Sequence, residues 1–191
     1  MSVLEIRELI NRAINLERKH NYFLNYLEQS PRPCSGSVQI GDTDDPSRLV
    51  SFVMTYTRHA PELIQKLVDS AIRQGLETYV DPVVCLIAAL FELDRKDVDS
   101  SHQLLLVVSS AYLTHRFVEE LNDRVFSESG QKLITGDFTD ANLLIHEILG
   151  DSYANRLETM ITQVSQEFHS ENKRYTEDML SALNTSRTST N

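Results

Sequence analysis

Three acidic residues near the end of an apolar segment are well suited to hold a cation. Glu119, Glu120 and Asp123 fall within about one helical turn, where Glu119 and Asp123 share a face and Glu120 lies roughly 100° away. Mg²⁺ prefers hard oxygen ligands and is commonly held by one or two carboxylates together with phosphate groups. The spacing is therefore compatible with a magnesium site, and His115 lies one turn earlier on the same face.

The same cluster is also typical of a solvated acidic helix end. Arg116 and Arg124 lie four residues before and after Glu120, at the spacing of i,i+4 ion pairs. By spacing alone this second interpretation is favoured, because such acidic patterns are common in helices. The elements around the cluster must decide between the two.

Composition predicts an all-α protein of the reduced cytoplasm. Six glycines and five prolines in 191 residues are few for a chain with many β-turns. A net charge of −10 repels nucleic acid and anionic lipid, so neither is an expected partner. Cys34 and Cys85 lack metal or disulfide spacing, the N-terminus lacks a signal-peptide core, and no apolar run is long enough to span a membrane.

Hydrophobic periodicity and the positions of proline and glycine divide the first half of the chain into helices. One long amphipathic helix is predicted over 2–29. Asp45 followed by Pro46 has the form of an N-cap with proline at the first helical position, so a helix should begin there. Pro61 is expected to break or kink that helix, and Gly75 to end its second part.

The second half follows the same logic. Asp81-Pro82 is expected to start a helix whose run 83–93 is apolar nearly all round, which predicts the central buried helix with Cys85 in the core. Further helices are predicted after a cap at 97–101, from Asp137 to Ile148, and from Ser152 to about Leu183. The expected organisation is a single all-α domain over 1–183, with a mobile loop at about 30–44 and a flexible tail at 184–191.

The order of three segments carries a family resemblance. Pro82 with the apolar run 83–89, the acidic segment 118–123 and the segment 132–138, which contains Gly-Asp-Phe, follow one another in that order. In this arrangement the chain resembles the trans-prenyl diphosphate synthases. The resemblance implies an isoprenoid-synthase-like antiparallel helical bundle, truncated relative to the full fold. It makes Glu119, Glu120 and Asp123 the remnant of a Mg²⁺–diphosphate site, with His115 and Asp137 as supporting neighbours.

Departures from the family pattern argue against catalysis. No basic residue stands in 76–81, where the family binds diphosphate, and no Arg-Arg-Gly follows Asp123. The helix that carries the second acidic motif in the family would lie beyond Asn191. Without these groups the departing pyrophosphate would lack electrostatic stabilisation.

The resemblance therefore implies a non-catalytic protein, an oligomerising or regulatory subunit that forms a homodimer or pairs with a prenyl synthase-like partner. No cofactor is required by this interpretation, and Mg²⁺ is the one ion it allows. Two alternatives stay open. The chain is a Mg²⁺-dependent prenyl diphosphate-binding protein, or a prenyltransferase active only in a complex; or it is an unrelated all-α interaction domain.

Overall fold

The computed structural model of the protein describes residues 1–29, 45–75, 77–93, 100–130 and 132–171. Within these ranges the chain forms a bundle of seven α-helices without a strand, which confirms the all-α prediction. The helices are α1 (Val3–His20), α2 (Tyr22–Gln29), α3 (Pro46–Gln74), α4 (Glu77–Leu93), α5 (Gln103–Ser129), α6 (Thr139–Leu149) and α7 (Asp151–Glu171), with a 3₁₀ turn at Ser100–His102. The predicted loop 30–44, the cap at 97–99, the helix end at Leu183, the tail 184–191 and Cys34 lie outside the described residues.

Helices α3 and α5 form the centre of the bundle. They pack against each other, α1 and α4 each contact both of them, and α6 and α7 pack on α5. The prediction that 83–93 is the central buried helix is wrong, because α4 exposes Cys85 and Ala89. A helix that is apolar nearly all round still buries only the face that meets a neighbour, and the buried face of α4 in the described structure carries Val80, Val83, Ile87 and Phe91.

The predicted single helix over 2–29 is divided at Asn21. This residue takes a left-handed conformation at φ 54°, which asparagine tolerates better than most residues. The carboxylate of Glu17 is buried and accepts hydrogen bonds from the backbone N–H groups of Phe23 at 2.7 Å and Leu24 at 3.0 Å. Glu17 therefore caps the start of α2, and the chain turns where the periodicity is uninterrupted.

Two prolines lie inside helices: Pro61, where a break or kink was predicted, and Pro82, where a helix was predicted to start. Helix α3 continues through Pro61, and α4 begins at Glu77, five residues before Pro82. The side chains of Ala60, Pro61 and Leu63 are buried in the bundle. Tertiary packing of this kind offsets the single backbone hydrogen bond that an internal proline removes. The predicted cap at Asp45 and the helix end at Gly75 are confirmed.

The connection between α5 and α6 is held by side chains from both central helices. Asn122 on α5 donates to the carbonyl of Ile134 at 2.8 Å and accepts from its N–H at 3.0 Å. Ser70 on α3 donates to the carbonyl of Leu133 at 2.7 Å. These bonds fix the path of 132–138 and thereby the position of Phe138.

Helix α6 begins at Thr139, two residues after the predicted start, because Asp137 caps it from outside. The carboxylate of Asp137 accepts from the N–H of Thr139 at 3.0 Å. Helix α5 runs to Ser129 and ends at Gly130 with φ 70°. Gly150 separates α6 from α7, in the interval between the two predicted helices that end at Ile148 and begin at Ser152. None of the helices in the described ranges is both long and apolar enough to cross a membrane.

Candidate functional site

A cavity of about 420 Å³ opens between α3, α5 and the start of α6. Its volume lies in the range of roughly 300–1,000 Å³ that small-molecule sites occupy. Aromatic rings and two histidines form the walls, and charged side chains stand at the mouth. The lining residues are Phe52, Thr55, Tyr56, Arg58, His59, Glu62, His115, Phe138 and Ala141.

Helix α3 supplies much of this lining because an aromatic row follows the border of its buried face. Phe52, Tyr56 and His59 fall at i, i+4 and i+7, so they lie along one side of the helix. Tyr56 is buried, whereas Phe52 and His59 are half-buried. The row therefore passes from the core to the cavity wall.

The two histidines contact each other across α3 and α5. Nδ1 of His59 lies 3.0 Å from Nε2 of His115, and Nδ1 of His115 lies 2.8 Å from the carbonyl oxygen of Ala111. A carbonyl only accepts, so Nδ1 of His115 carries the proton. In the neutral ring Nε2 of His115 is then an acceptor, and Nδ1 of His59 donates to it.

Both rings are held neutral by their surroundings. Burial lowers the pKa of His115 to about 4, with the nearby His59 adding to the effect and the hydrogen bond to Ala111 opposing it. Burial and the positive charge of Lys66 lower the pKa of His59, opposed by Glu62. At neutral pH the pair therefore keeps the proton arrangement that its geometry requires.

Tyr56 connects the histidine pair to α6. Its ring stacks on His115 with centroids 4.1 Å apart, and its hydroxyl donates to Oδ1 of Asn142 at 2.6 Å. Burial, with the negative charges of the neighbourhood, raises the pKa of Tyr56 well above its usual value, so the hydroxyl stays protonated. Nδ2 of Asn142 is buried without a hydrogen-bond partner in the described part of the chain.

Phe138 closes one side of the cavity. Its ring lies 5.4 Å from the ring of His59 and 5.6 Å from that of His115, edge-on to the latter. The same ring folds over Gly136, where an added Cβ would stand 2.7 Å from Cζ of Phe138. Gly136 has φ +151°, which disfavours other residues. Glycine at 136 therefore lets the ring reach the histidines.

Opposite charges stand at the cavity mouth. Arg58 and Glu62 both line it and are exposed, one helical turn apart on α3. Neither forms an ion pair with any residue that the structure describes. Because both side chains are exposed, water screens their charges. The mouth of the cavity therefore does little to favour a positively or a negatively charged ligand.

The predicted magnesium ligands lie elsewhere and do not converge. Glu119 is 19% exposed and forms a 2.7 Å ion pair with Arg116, while Glu120 and Asp123 are exposed. None of the three lines the cavity. Over the described ranges, no group of three or more His, Cys, Asp or Glu side chains is placed to hold a metal ion. The magnesium site stays a prediction without structural support.

The two predicted supporting residues are separated as well. His115 is 1% exposed and contacts His59 and Tyr56. Asp137 is exposed, and its hydrogen bonds to Thr139 lower its pKa. His115 therefore belongs to the cavity, and Asp137 acts as a helix cap.

A second polar cluster ties α7 to α5 and α6. Tyr112 donates to Glu158 at 2.5 Å and lies 3.2 Å from Nδ1 of His146. Arg116 bridges Glu119 and Glu158, the latter at 3.5 Å. Burial and the hydrogen bond to Glu158 raise the pKa of Tyr112. Arg116 pairs with both carboxylates, and the hydrogen bonds of Tyr112 link the three helices, which is the pattern of an interhelical contact.

Sequence reasoning missed His59, Tyr56 and Asn142. The available signal was the row of rings at 52, 56 and 59 on the border of an apolar stripe. His115 and Asn142 lie 56 and 86 residues from their partners on α3, so no local pattern joins them.

Comparison with known proteins places the chain in no group: no family, no curated protein and no solved structure matches it. The resemblance to prenyl synthases thus stays a proposal.

Proposed function

We propose that this protein binds a small, largely apolar molecule in the cavity between α3, α5 and α6 without transforming it. The observation that carries the proposal is the grouping of the Phe52, Tyr56 and Phe138 rings around one open cavity. Aromatic walls with a few fixed polar groups are the usual composition of small-molecule sites. The rings stabilise a bound molecule by burying its apolar surface, at roughly 25 cal/mol per Å².

The groups next to His59 favour ligand binding over catalysis. A catalytic histidine is commonly oriented by a carboxylate, which stabilises the imidazolium that forms during proton transfer. Here the second ring of the pair is the neutral, buried His115. The positive charge of Lys66 also works against protonation of His59. This pair is therefore suited to hold a hydrogen bond and poorly suited to carry a proton through a reaction.

Protein-observed NMR with a library of small aromatic and aliphatic fragments tests this function. Binders should shift the resonances of Phe52, His59 and Phe138, and the Phe138→Ala variant should lose most of their affinity. Phe126→Ala is the matched control, because that ring is 49% exposed and lies outside the cavity lining. A library without a single fragment that perturbs the cavity residues would overturn the proposal.

A second proposal concerns association. Six large hydrophobic side chains are exposed among the described residues: Leu4, Tyr26, Ile72, Phe126, Leu143 and Met160. They lie on six different helices, and a partner that covered some of them would remove apolar area from water. We therefore also propose an isoprenoid-synthase-like, oligomerising or regulatory subunit that pairs with itself or with a prenyl synthase-like chain. Light scattering after gel filtration and pull-down with a prenyl synthase test it. A monomer that binds no synthase contradicts it and leaves two alternatives, a Mg²⁺-dependent prenyl diphosphate-binding protein and an unrelated all-α interaction domain.

A further inference from the structure

We propose that the cavity selects a planar aromatic molecule carrying one O–H or N–H donor, of the phenol or indole type, which donates to Nε2 of His59. This inference rests on the proposed ligand-binding function and specifies the chemistry of that site. It follows from the direction of each hydrogen bond among the lining side chains.

The proton positions in the histidine pair are set by an acceptor at its buried end. The carbonyl of Ala111 requires the proton of His115 on Nδ1, and this leaves Nε2 of His115 to accept from His59. The proton of His59 is then on Nδ1. Its other nitrogen, Nε2, carries a lone pair and makes no hydrogen bond within the described part of the chain.

The two hydroxyl groups of the described lining already donate hydrogen bonds within the protein. Tyr56 donates to Asn142 at 2.6 Å, and Thr55 donates to the carbonyl of Ser51 at 3.0 Å. Among the described lining residues the remaining side-chain donor is Arg58, which is exposed at the mouth. Of the described side chains, those inside the cavity therefore offer hydrogen-bond acceptors and no free donor, so a ligand supplies the donor.

The walls define the rest of the ligand. Phe52, Tyr56 and Phe138 surround the histidines with flat apolar surfaces. Aromatic ligands gain by offset or edge-on contact with such rings, beyond the apolar area they bury. A ligand that only accepts hydrogen bonds would leave the lone pair of His59 without a partner, which weakens its binding relative to a ligand that donates.

Paired ligands that differ in one methyl group test the inference. Phenol should bind about tenfold more tightly than anisole, and indole about tenfold more tightly than 1-methylindole, in calorimetric or NMR titrations at pH 7.5. In His59→Phe, which keeps a ring but removes the acceptor, phenol and anisole should bind with equal affinity. His102→Phe, at an exposed histidine outside the cavity, should keep the preference.

The outcomes separate this inference from the binding function on which it rests. Equal affinity for phenol and anisole in the unmodified protein overturns the donor requirement and leaves the cavity as a binding site. If neither compound binds, the binding function fails for aromatic ligands. If His59→Phe does not fold, a measurement on the unmodified protein without ligand tests the inference instead. The ¹⁵N shifts of the unmodified protein should place the proton on Nδ1 in both His59 and His115, and a proton on Nε2 of His59 overturns the inference.

Discussion

The carboxamide of Asn122 binds both polar groups of the Ile134 backbone, accepting from the N–H at 3.0 Å and donating to the carbonyl at 2.8 Å. Asn122 stands inside the acidic segment 118–123, between exposed or paired carboxylates, and is buried. Asn122 is therefore the residue of that segment with the clearest structural role. It determines where the connection to α6 runs, and with it the wall of the cavity.

Replacing Asn122 by alanine should lower the free energy of unfolding by about 2–4 kcal/mol, because the N–H and carbonyl of Ile134 would be left buried without partners. Urea denaturation followed by circular dichroism measures this change. Asp123→Ala, at the exposed neighbouring position, is the control and should stay within about 0.5 kcal/mol of the parent. Equal stability of the two variants would contradict the role assigned to Asn122.

His115 should make the protein lose stability in mild acid. Folding lowers the pKa of this ring from 6.5 to about 4, so between these values the unfolded chain binds a proton that the folded chain does not. The free energy of unfolding should be unaffected by this group above pH 6.5 and fall by about 3 kcal/mol as the pH is lowered to 4. Urea titrations at a series of pH values measure it.

His115→Phe keeps a ring against Tyr56 but does not titrate, so its stability should fall less steeply over the same pH interval. The control is His20→Gln at an exposed position, which should retain the slope of the parent. If the unfolding free energy of His115→Phe falls with pH as steeply as that of the parent, the acid sensitivity belongs to another group.

Tyr56 and Asn142 should be energetically coupled. Tyr56→Phe leaves Asn142 buried with neither polar atom bonded, which should cost about 1–3 kcal/mol. Asn142→Leu likewise leaves the buried hydroxyl of Tyr56 without its acceptor. The double variant replaces both partners by apolar groups and should be more stable than the sum of the single changes predicts. Additive changes in unfolding free energy would argue against the bond.

Glu119 and Glu120 should contribute little to stability or ligand binding. Glu119→Ala removes a partly exposed ion pair with Arg116, and Arg116 keeps its second carboxylate partner, Glu158. The change in unfolding free energy should therefore be about 0–1 kcal/mol. Titration of Mg²⁺ with a prenyl diphosphate should give the same calorimetric trace for the parent and for Glu119→Ala/Glu120→Ala. A saturable, Mg²⁺-dependent heat that only the parent produces would instead support the magnesium site and the prenyl diphosphate alternatives.

Gly136→Ala should destabilise the protein by roughly 1–3 kcal/mol and weaken ligand binding. The backbone at φ +151° disfavours alanine, and the new Cβ would displace the ring of Phe138. Gly75→Ala separates these effects, since Gly75 also has positive φ but open space around it. Combining Gly136→Ala with Phe138→Ala should relieve only the steric part. Thermal unfolding and fragment titration measure the two consequences.

Local signals in the sequence determined the helical class and several helix ends. Asp45 before Pro46 and the glycines at 75 and 150 act through backbone geometry within one turn, so their effects are visible in the residues themselves. The break predicted at Pro61 and the helix start predicted at Pro82 are wrong for the opposite reason. Whether Pro61 ends a helix depends on how much its flanking residues gain by packing, and that gain comes from helices elsewhere in the chain.

The cavity was decided by tertiary structure. His59 could not be joined to His115, nor Tyr56 to Asn142, until the packing of α3 against α5 and α6 set which turns face each other. The sequence supplied a histidine near three carboxylates and suggested a metal site. Packing turned that histidine toward another helix and left the carboxylates in water or paired with Arg116. Residue types alone determine what chemistry is available, whereas the register between helices decides which of those groups meet.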